Sequence, residues 1–180
     1  MNRYEDMAED AFLSDSLFEE TALEKAKQAA LKYVAARMHT RREVKEYLQK
    51  KGFDSRIAGD VIAFLEGYGY LNDEAYCKSW IHDRIQFHPC GRQKMAFELA
   101  KKISDRSLIQ QSLEEYFPEE TELELAQALA EKKIRSSRAG ISREQIGRFL
   151  YTRGFGGNVV SRALNSEEIY ELLNREEENW

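Results

Sequence analysis

The sequence predicts an all-α protein, and three observations carry that expectation. Only 2 prolines and 10 glycines interrupt 180 residues, and between them Ala, Leu, Glu, Lys and Gln, all good helix formers, dominate. No run of alternating β-branched residues suggests a sheet. One helical pattern also recurs three times along the chain, which points to a row of small units that bury a core by packing on each other.

The pattern is clearest in the middle helix of each unit. Thr40-Arg-Arg-Glu-Val-Lys-Glu-Tyr-Leu-Gln-Lys-Lys-Gly-Phe53 matches Ser142-Arg-Glu-Gln-Ile-Gly-Arg-Phe-Leu-Tyr-Thr-Arg-Gly-Phe155 at an offset of 102, and half that offset lands on Gly91-Arg-Gln-Lys-Met-Ala-Phe-Glu-Leu-Ala-Lys-Lys-Ile-Ser104. Val44, Met95 and Ile146 then coincide, as do Leu48, Leu99 and Leu150, and the basic trio Lys51, Lys102 and Arg153. Thr40 with Glu43 and Ser142 with Gln145 have capping-box spacing and mark helix starts. Gly52 and Gly154, each followed by phenylalanine, mark helix stops with a left-handed residue and an apolar contact. Ile103 takes the corresponding position in the second copy.

Third helices follow each stop. Asp54 caps one with Ile57, Val61, Phe64, Leu65 and Tyr68 on a common face. Asp105 begins the next, with Leu108, Ser112, Leu113 and Tyr116, and Phe117-Pro118 closes it because the residue before proline disfavours the α region. Val159, Val160, Ala163 and Leu164 form the last. First helices are expected from Leu23, Ala26, Ala30, Tyr33 and Val34, from Tyr76, Trp80, Ile81, Arg84 and Ile85, and from Ala126, Leu129, Ala130, Lys133 and Ile134. The segment from Arg135 to Ile141 must absorb an insertion. The expected organisation is an acidic tail or extra helix at 1–20, repeats at 21–71, 72–118 and 119–165, and an acidic helix or tail at 166–180, where Ile169, Leu172 and Leu173 share one side.

Charge is divided unevenly. The net value is −5, yet residues 21–113 carry +6 and residues 125–162 carry +6. The acid sits in residues 1–20, 114–124 and 167–180, which hold seven, six and six acidic side chains. Such acidic blocks either only solvate the chain or lie over the basic body until a polyanion displaces them. No apolar stretch reaches the roughly 20 residues that cross a bilayer, and the N-terminus is acidic where a secretory signal would be basic. A cytosolic protein with its two cysteines reduced is expected.

The linker Gly67-Tyr-Gly-Tyr-Leu-Asn-Asp-Glu-Ala-Tyr76, with Trp80, Ile81 and Arg84 after it, resembles the signature of the RecX family, regulators of the RecA recombinase. Gly69, Tyr70, Leu71 and Asp73 match that signature, while Asn72 and Tyr76 replace an acid and a phenylalanine. Gly91, Arg92, Glu98, Leu99 and Lys102 are similar to its next motif, and Arg148 through Phe155 to its C-terminal Arg-Gly-Phe segment. The resemblance spans residues 22–165. It implies three tandem three-helix repeats in an elongated, curved arrangement. It also implies a non-enzymatic inhibitor, acting as a monomer, that binds the groove of the RecA–DNA filament and modulates ATPase activity, strand exchange and filament assembly. Weak contact with single- or double-stranded DNA goes with it, and no cofactor, metal or catalytic residue.

The expected contact set for RecA or DNA is basic: Arg41, Arg42, Lys45, Lys50 and Lys51; Arg84, Arg92, Lys94, Lys101 and Lys102; Arg143, Arg148 and Arg153. Arg106, Lys132, Lys133, Arg135 and Arg138 are further candidates. A solvated surface is the simpler reading for any one of them, but recurrence of Lys51, Lys102 and Arg153 favours a continuous basic stripe. Arg84 has a second possible role, pairing with an acid such as Asp73. A free-standing DNA-binding protein remains the alternative, because three-helix units with a glycine turn resemble helix-turn-helix modules.

Other chemistries find little support. Cys77, His82, His88 and Cys90 are close in sequence, but Cys77 and His82 would stand about 140° apart around a helix, and no short ligand pair closes a zinc site. Cys77 reads better as a small buried hydrophobe. Tyr33, Tyr47, Phe64, Tyr68, Tyr70, Tyr76 and Trp80 have the spacing of core rather than of a stacking platform for bases. No acid pair, nucleophile or phosphate-binding glycine loop suggests catalysis.

Overall fold

The computed structural model describes residues 20–137 and 140–177. The acidic segment before residue 20, Arg138 and the last three residues lie outside the described residues. Ten helices and no strands occur among the described residues. They are α1 (20–34), α2 (Arg41–Lys50), α3 (Ser55–Gly67), α4 (Asp73–Phe87), α5 (Arg92–Ala100), α6 (Arg106–Tyr116), α7 (Glu119–Arg135), α8 (Arg143–Thr152), α9 (Gly157–Leu164) and α10 (Glu167–Glu177). Taken in threes, α1–α3, α4–α6 and α7–α9 are the three repeats. No helix among them is long and apolar enough to cross a membrane.

The chain divides into two compact units, one up to Tyr76 and one from Cys77 onward. In the first, Ala26 and Ala30 of α1, Val44 and Leu48 of α2, and Ala58, Val61, Ile62 and Leu65 of α3 form the core. The small alanines let α1 approach closely, and the branched side chains fill the space. Thr40 and Glu43 make the expected capping box. At the other end Gly52 has φ +89°, its N–H bonds to the Gln49 carbonyl at 3.0 Å, and the Phe53 N–H reaches the Leu48 carbonyl at 3.1 Å. This is the two-bond glycine stop that the sequence signalled.

Two expectations in this unit need correction. Tyr68 does not join the buried face of α3 but is 70% exposed, because it is the cap residue at which the chain leaves the helix. Tyr70 is also exposed and stacks on Tyr68. Tyr33, by contrast, stacks face to face on Tyr47 with ring centroids 4.1 Å apart, where both are half-buried against the core.

The second unit holds the remaining two repeats. Cys77 and Ile81 of α4, Met95 and Leu99 of α5, and Ile109 and Leu113 of α6 are buried, as are Ile103 and Phe117 after the helices. Cys77 is thus a buried hydrophobe, as expected. In the last repeat Ala126, Ala130 and Ile134 meet Ile146, Leu150, Phe155 and the buried face of α9. The spacing from Ala30 to Val44 and from Ile81 to Met95 is 14 residues, but from Ala130 to Ile146 it is 16. The inferred insertion therefore amounts to two residues between α7 and α8. Helix α10 packs on α7 and α9, with Ile169 and Leu173 buried, and so covers an apolar face that a further repeat would otherwise occupy.

Ile103 explains how α5 ends without glycine. The helix stops one residue early, at Ala100, with Lys101 as the cap. The Ile103 N–H bonds to the Leu99 carbonyl at 2.8 Å, and its side chain enters the core. The cation at the helix end is therefore Lys101, not Lys102. Lys51 over Tyr47 (5.7 Å), Lys101 over Phe97 (4.2 Å) and Arg153 over Phe149 (5.2 Å) share one arrangement, a cap cation over the aromatic ring four residues earlier.

Candidate polyanion-binding cleft

Three of the proposed contact residues also make bonds within the fold. Arg41, Arg92 and Arg143 recur every 51 residues as the first residue of a middle helix. Each reaches the end of the third helix of its own repeat. Arg41 Nε pairs with Glu66 at 3.0 Å, the Arg92 guanidinium donates to the Phe117 carbonyl, and Arg143 donates to the Leu164 carbonyl at 2.9 Å and to Asn165. A cation beside C-terminal carbonyls is favourably placed against the helix dipole. These arginines brace repeats.

Two of these helix starts receive a carboxylate from the first helix of the following repeat. The Arg41 N–H donates to Asp73 at 2.9 Å, and the Arg92 N–H donates to Glu122 at 2.8 Å. Glu122 is buried and also meets the Arg92 guanidinium at 3.4 Å. In addition, the Gly91 N–H bonds to the Arg153 carbonyl at 2.9 Å and the Gln93 N–H to the Gly154 carbonyl at 3.1 Å. Gly91 caps α5 without a side chain, yet the donors of the first turn are satisfied from the following repeat. Its hydrogen in place of Cβ is required, since a Cβ there would stand 2.3 Å from the Gly154 carbonyl oxygen.

This backbone junction places Lys94 beside Arg153, and around it the second unit forms a cleft of about 590 Å³. Arg84, Lys94, Lys132, Lys133 and Arg153 line it, with Glu98 as the one carboxylate. Arg84 pairs with Glu98 at 2.6 Å and lies over Trp80 at 4.7 Å. That partner is Glu98 rather than Asp73, whose carboxylate caps α2. Phe87, Pro89, Leu129 and Phe149 supply the apolar part of the lining. Cys90 also lies there, and burial, with the Glu98 charge added, pushes its thiol above the usual cysteine range. It stays protonated at neutral pH.

Of the sequence-stated set, the cleft gathers Arg84, Lys94 and Arg153, together with Lys132 and Lys133. Lys45 and Lys50 are exposed on α2 and Arg42 is half-buried there, while Arg148 is exposed on α8, Arg106 on α6 and Arg135 on α7. Arg135 pairs with Glu131. Lys102 is half-buried after α5. Phe87, His88 and Phe149 were missed as lining residues. Phe149 carried a signal in its spacing from Arg153, but Phe87 and His88 carried none. Among the described residues no three His, Cys, Asp or Glu side chains gather as a metal-binding group.

Three consecutive three-helix units closed by an extra helix define a helical repeat protein. Three family models, described as the first, second and third three-helix domains of RecX, match residues 26–65, 72–113 and 120–164 in that order. A regulatory protein RecX of Caldanaerobacter subterraneus is 30% identical over 140 residues, covering 78% of this chain and 69% of the relative. One of Clostridium botulinum is 29% identical over 155 residues, covering 81% and 72%. The crystal structure of RecX from Lactobacillus salivarius shares the fold with a TM-score of 0.77 at 22% identity, over 84% of this chain and 98% of that one. The chain belongs to the RecX family.

Proposed function

We propose that this protein is a non-enzymatic, cytosolic regulator that binds the RecA–DNA filament and inhibits it, lowering ATP hydrolysis, strand exchange and filament assembly. The observation that carries this reading is the set of three RecX domains matched in order along the chain. The regulatory role in the names of its relatives supports it. Within the second unit the cleft cations without an ion-pair partner among the described residues, Lys94, Lys132, Lys133 and Arg153, are the proposed contact residues there, and Lys45, Lys50 and Lys51 are those of the first unit. Arg41, Arg92 and Arg143 of the expected set also hold helix ends with their guanidinium groups.

The test is enzymatic. RecA on single-stranded DNA hydrolyses ATP, and adding this chain below the RecA concentration is expected to lower that rate and slow strand exchange. Full RecA activity at saturating protein rejects the proposal. A weak contact with DNA belongs to the same reading. Sub-micromolar binding to duplex DNA without RecA, with a steep salt dependence, is the result that would favour a free-standing DNA-binding protein instead.

A further inference from the structure

We propose that the cleft of the second unit is a binding site for single-stranded nucleic acid, with phosphates on its lysines and Arg153 and an unpaired base on Phe87. The inference rests on the reading above only in its DNA contact. It is read out without RecA, so the two fail separately.

Charge is the first support. Glu98 is matched by Arg84, and none of Lys94, Lys132, Lys133 and Arg153 has an ion-pair partner among the described residues. Four uncompensated cations around one concavity repel each other in a chain whose net charge is −5. An anion of several charges relieves that repulsion, and a phosphodiester strand supplies one charge per nucleotide.

Placement is the second. The Lys133 and Arg153 cations lie over the one ring of Phe149, at 5.9 and 5.2 Å. Lys94 and Arg153 sit on the two backbones joined at Gly91 and Gly154. Two of the four cations, Lys133 and Arg153, are therefore held over a ring before any ligand arrives, and the backbone that carries Lys94 is fixed, which reduces the ordering to be done on binding.

Phe87 decides between ligands. It ends α4 at the cleft and is 64% exposed, an apolar ring left in water beside a cluster of cations. Single strands are held by that combination, a positive groove for the backbone and aromatic faces for splayed bases. Duplex DNA keeps its bases stacked and admits protruding elements into its grooves, so it would leave Phe87 unused. An acidic peptide would meet the cations but gain no partner for the ring.

The experiment is fluorescence anisotropy of the full chain with labelled oligothymidylate over a range of salt concentrations. Four phosphate contacts on a single strand give a slope of log affinity against log salt of about −3. Lys132→Glu with Lys133→Glu is expected to lower affinity about tenfold or more and to reduce the slope by about 1.4. Phe87→Ala is expected to lower affinity about tenfold with the slope unchanged. All three positions are exposed, and an unchanged melting temperature confirms folding. The proposal is overturned if Phe87→Ala binds like the parent, or if Lys45→Glu with Lys50→Glu, on α2, costs as much as the cleft pair. It is also overturned if duplex DNA of equal length binds as well, or if polyglutamate displaces the strand as effectively as unlabelled oligothymidylate.

Discussion

Replacing Gly91 by alanine is expected to destabilise the second unit by about 3 kcal/mol, which lowers its melting temperature by about 15 °C. A Cβ at this position would lie 2.3 Å from the Gly154 oxygen and from the Phe155 nitrogen. Both neighbours are backbone, so no side chain can swing aside. The two repeats must separate, and the bonds from Gly91 to Arg153 and from Gln93 to Gly154 lengthen or break. Gly154→Ala attacks the same junction from the other side, where φ is +85° and the Lys94 Cβ would be 2.4 Å away. The double variant should cost less than the two single ones added, because either already opens the junction. Gly59→Ala is the contrast: it lies inside α3 with nothing within 4 Å of an added Cβ and should stabilise by about 1 kcal/mol. Thermal melting followed by circular dichroism separates these results. A Gly91→Ala melt that coincides with the parent's would refute the junction.

The second large effect is at Glu122. Its carboxylate accepts from the Arg92 backbone at 2.8 Å, meets the guanidinium at 3.4 Å and is 4% exposed. Glu122→Ala leaves a helix-start N–H and a half-buried arginine without their acceptor, at a cost of about 3 kcal/mol. Glu122→Gln keeps the backbone acceptor and loses the charge, so about half that cost is expected. Urea titration measures both. An alanine variant as stable as the glutamine one would mean that the carboxylate is not the cap of α5.

Both devices clarify what could be read from residues alone. The two capping boxes and the glycine stops of α2 and α8 were legible because each depends on residues only a few places apart. The 51-residue period was legible because these short signals repeat along the chain. Gly91 appeared only as the first residue of the second middle-helix copy, since its need for glycine comes from Gly154, in another repeat. Arg92 and Arg143 looked like surface cations because their acceptors are backbone carbonyls of Phe117 and Leu164, which leave no trace in residue type. Tyr68 kept the spacing of the α3 core face but fell one residue beyond the helix. The shift from Lys102 to Lys101 followed from a single substitution, Ile103 for glycine, that shortened α5. The cleft itself is assembled from α4, α5, α7 and α8. Its charges were visible in the sequence, whereas their convergence required the docking of two repeats.

Cosedimentation with RecA filaments, assembled on single-stranded DNA with a slowly hydrolysed ATP analogue, tests the central claim most directly. The expected result is saturable pelleting of this chain in proportion to RecA, with little pelleting when the same DNA is coated by an unrelated single-strand binding protein. Recovery of the chain in the supernatant at every RecA concentration would contradict the claim that it binds the RecA filament.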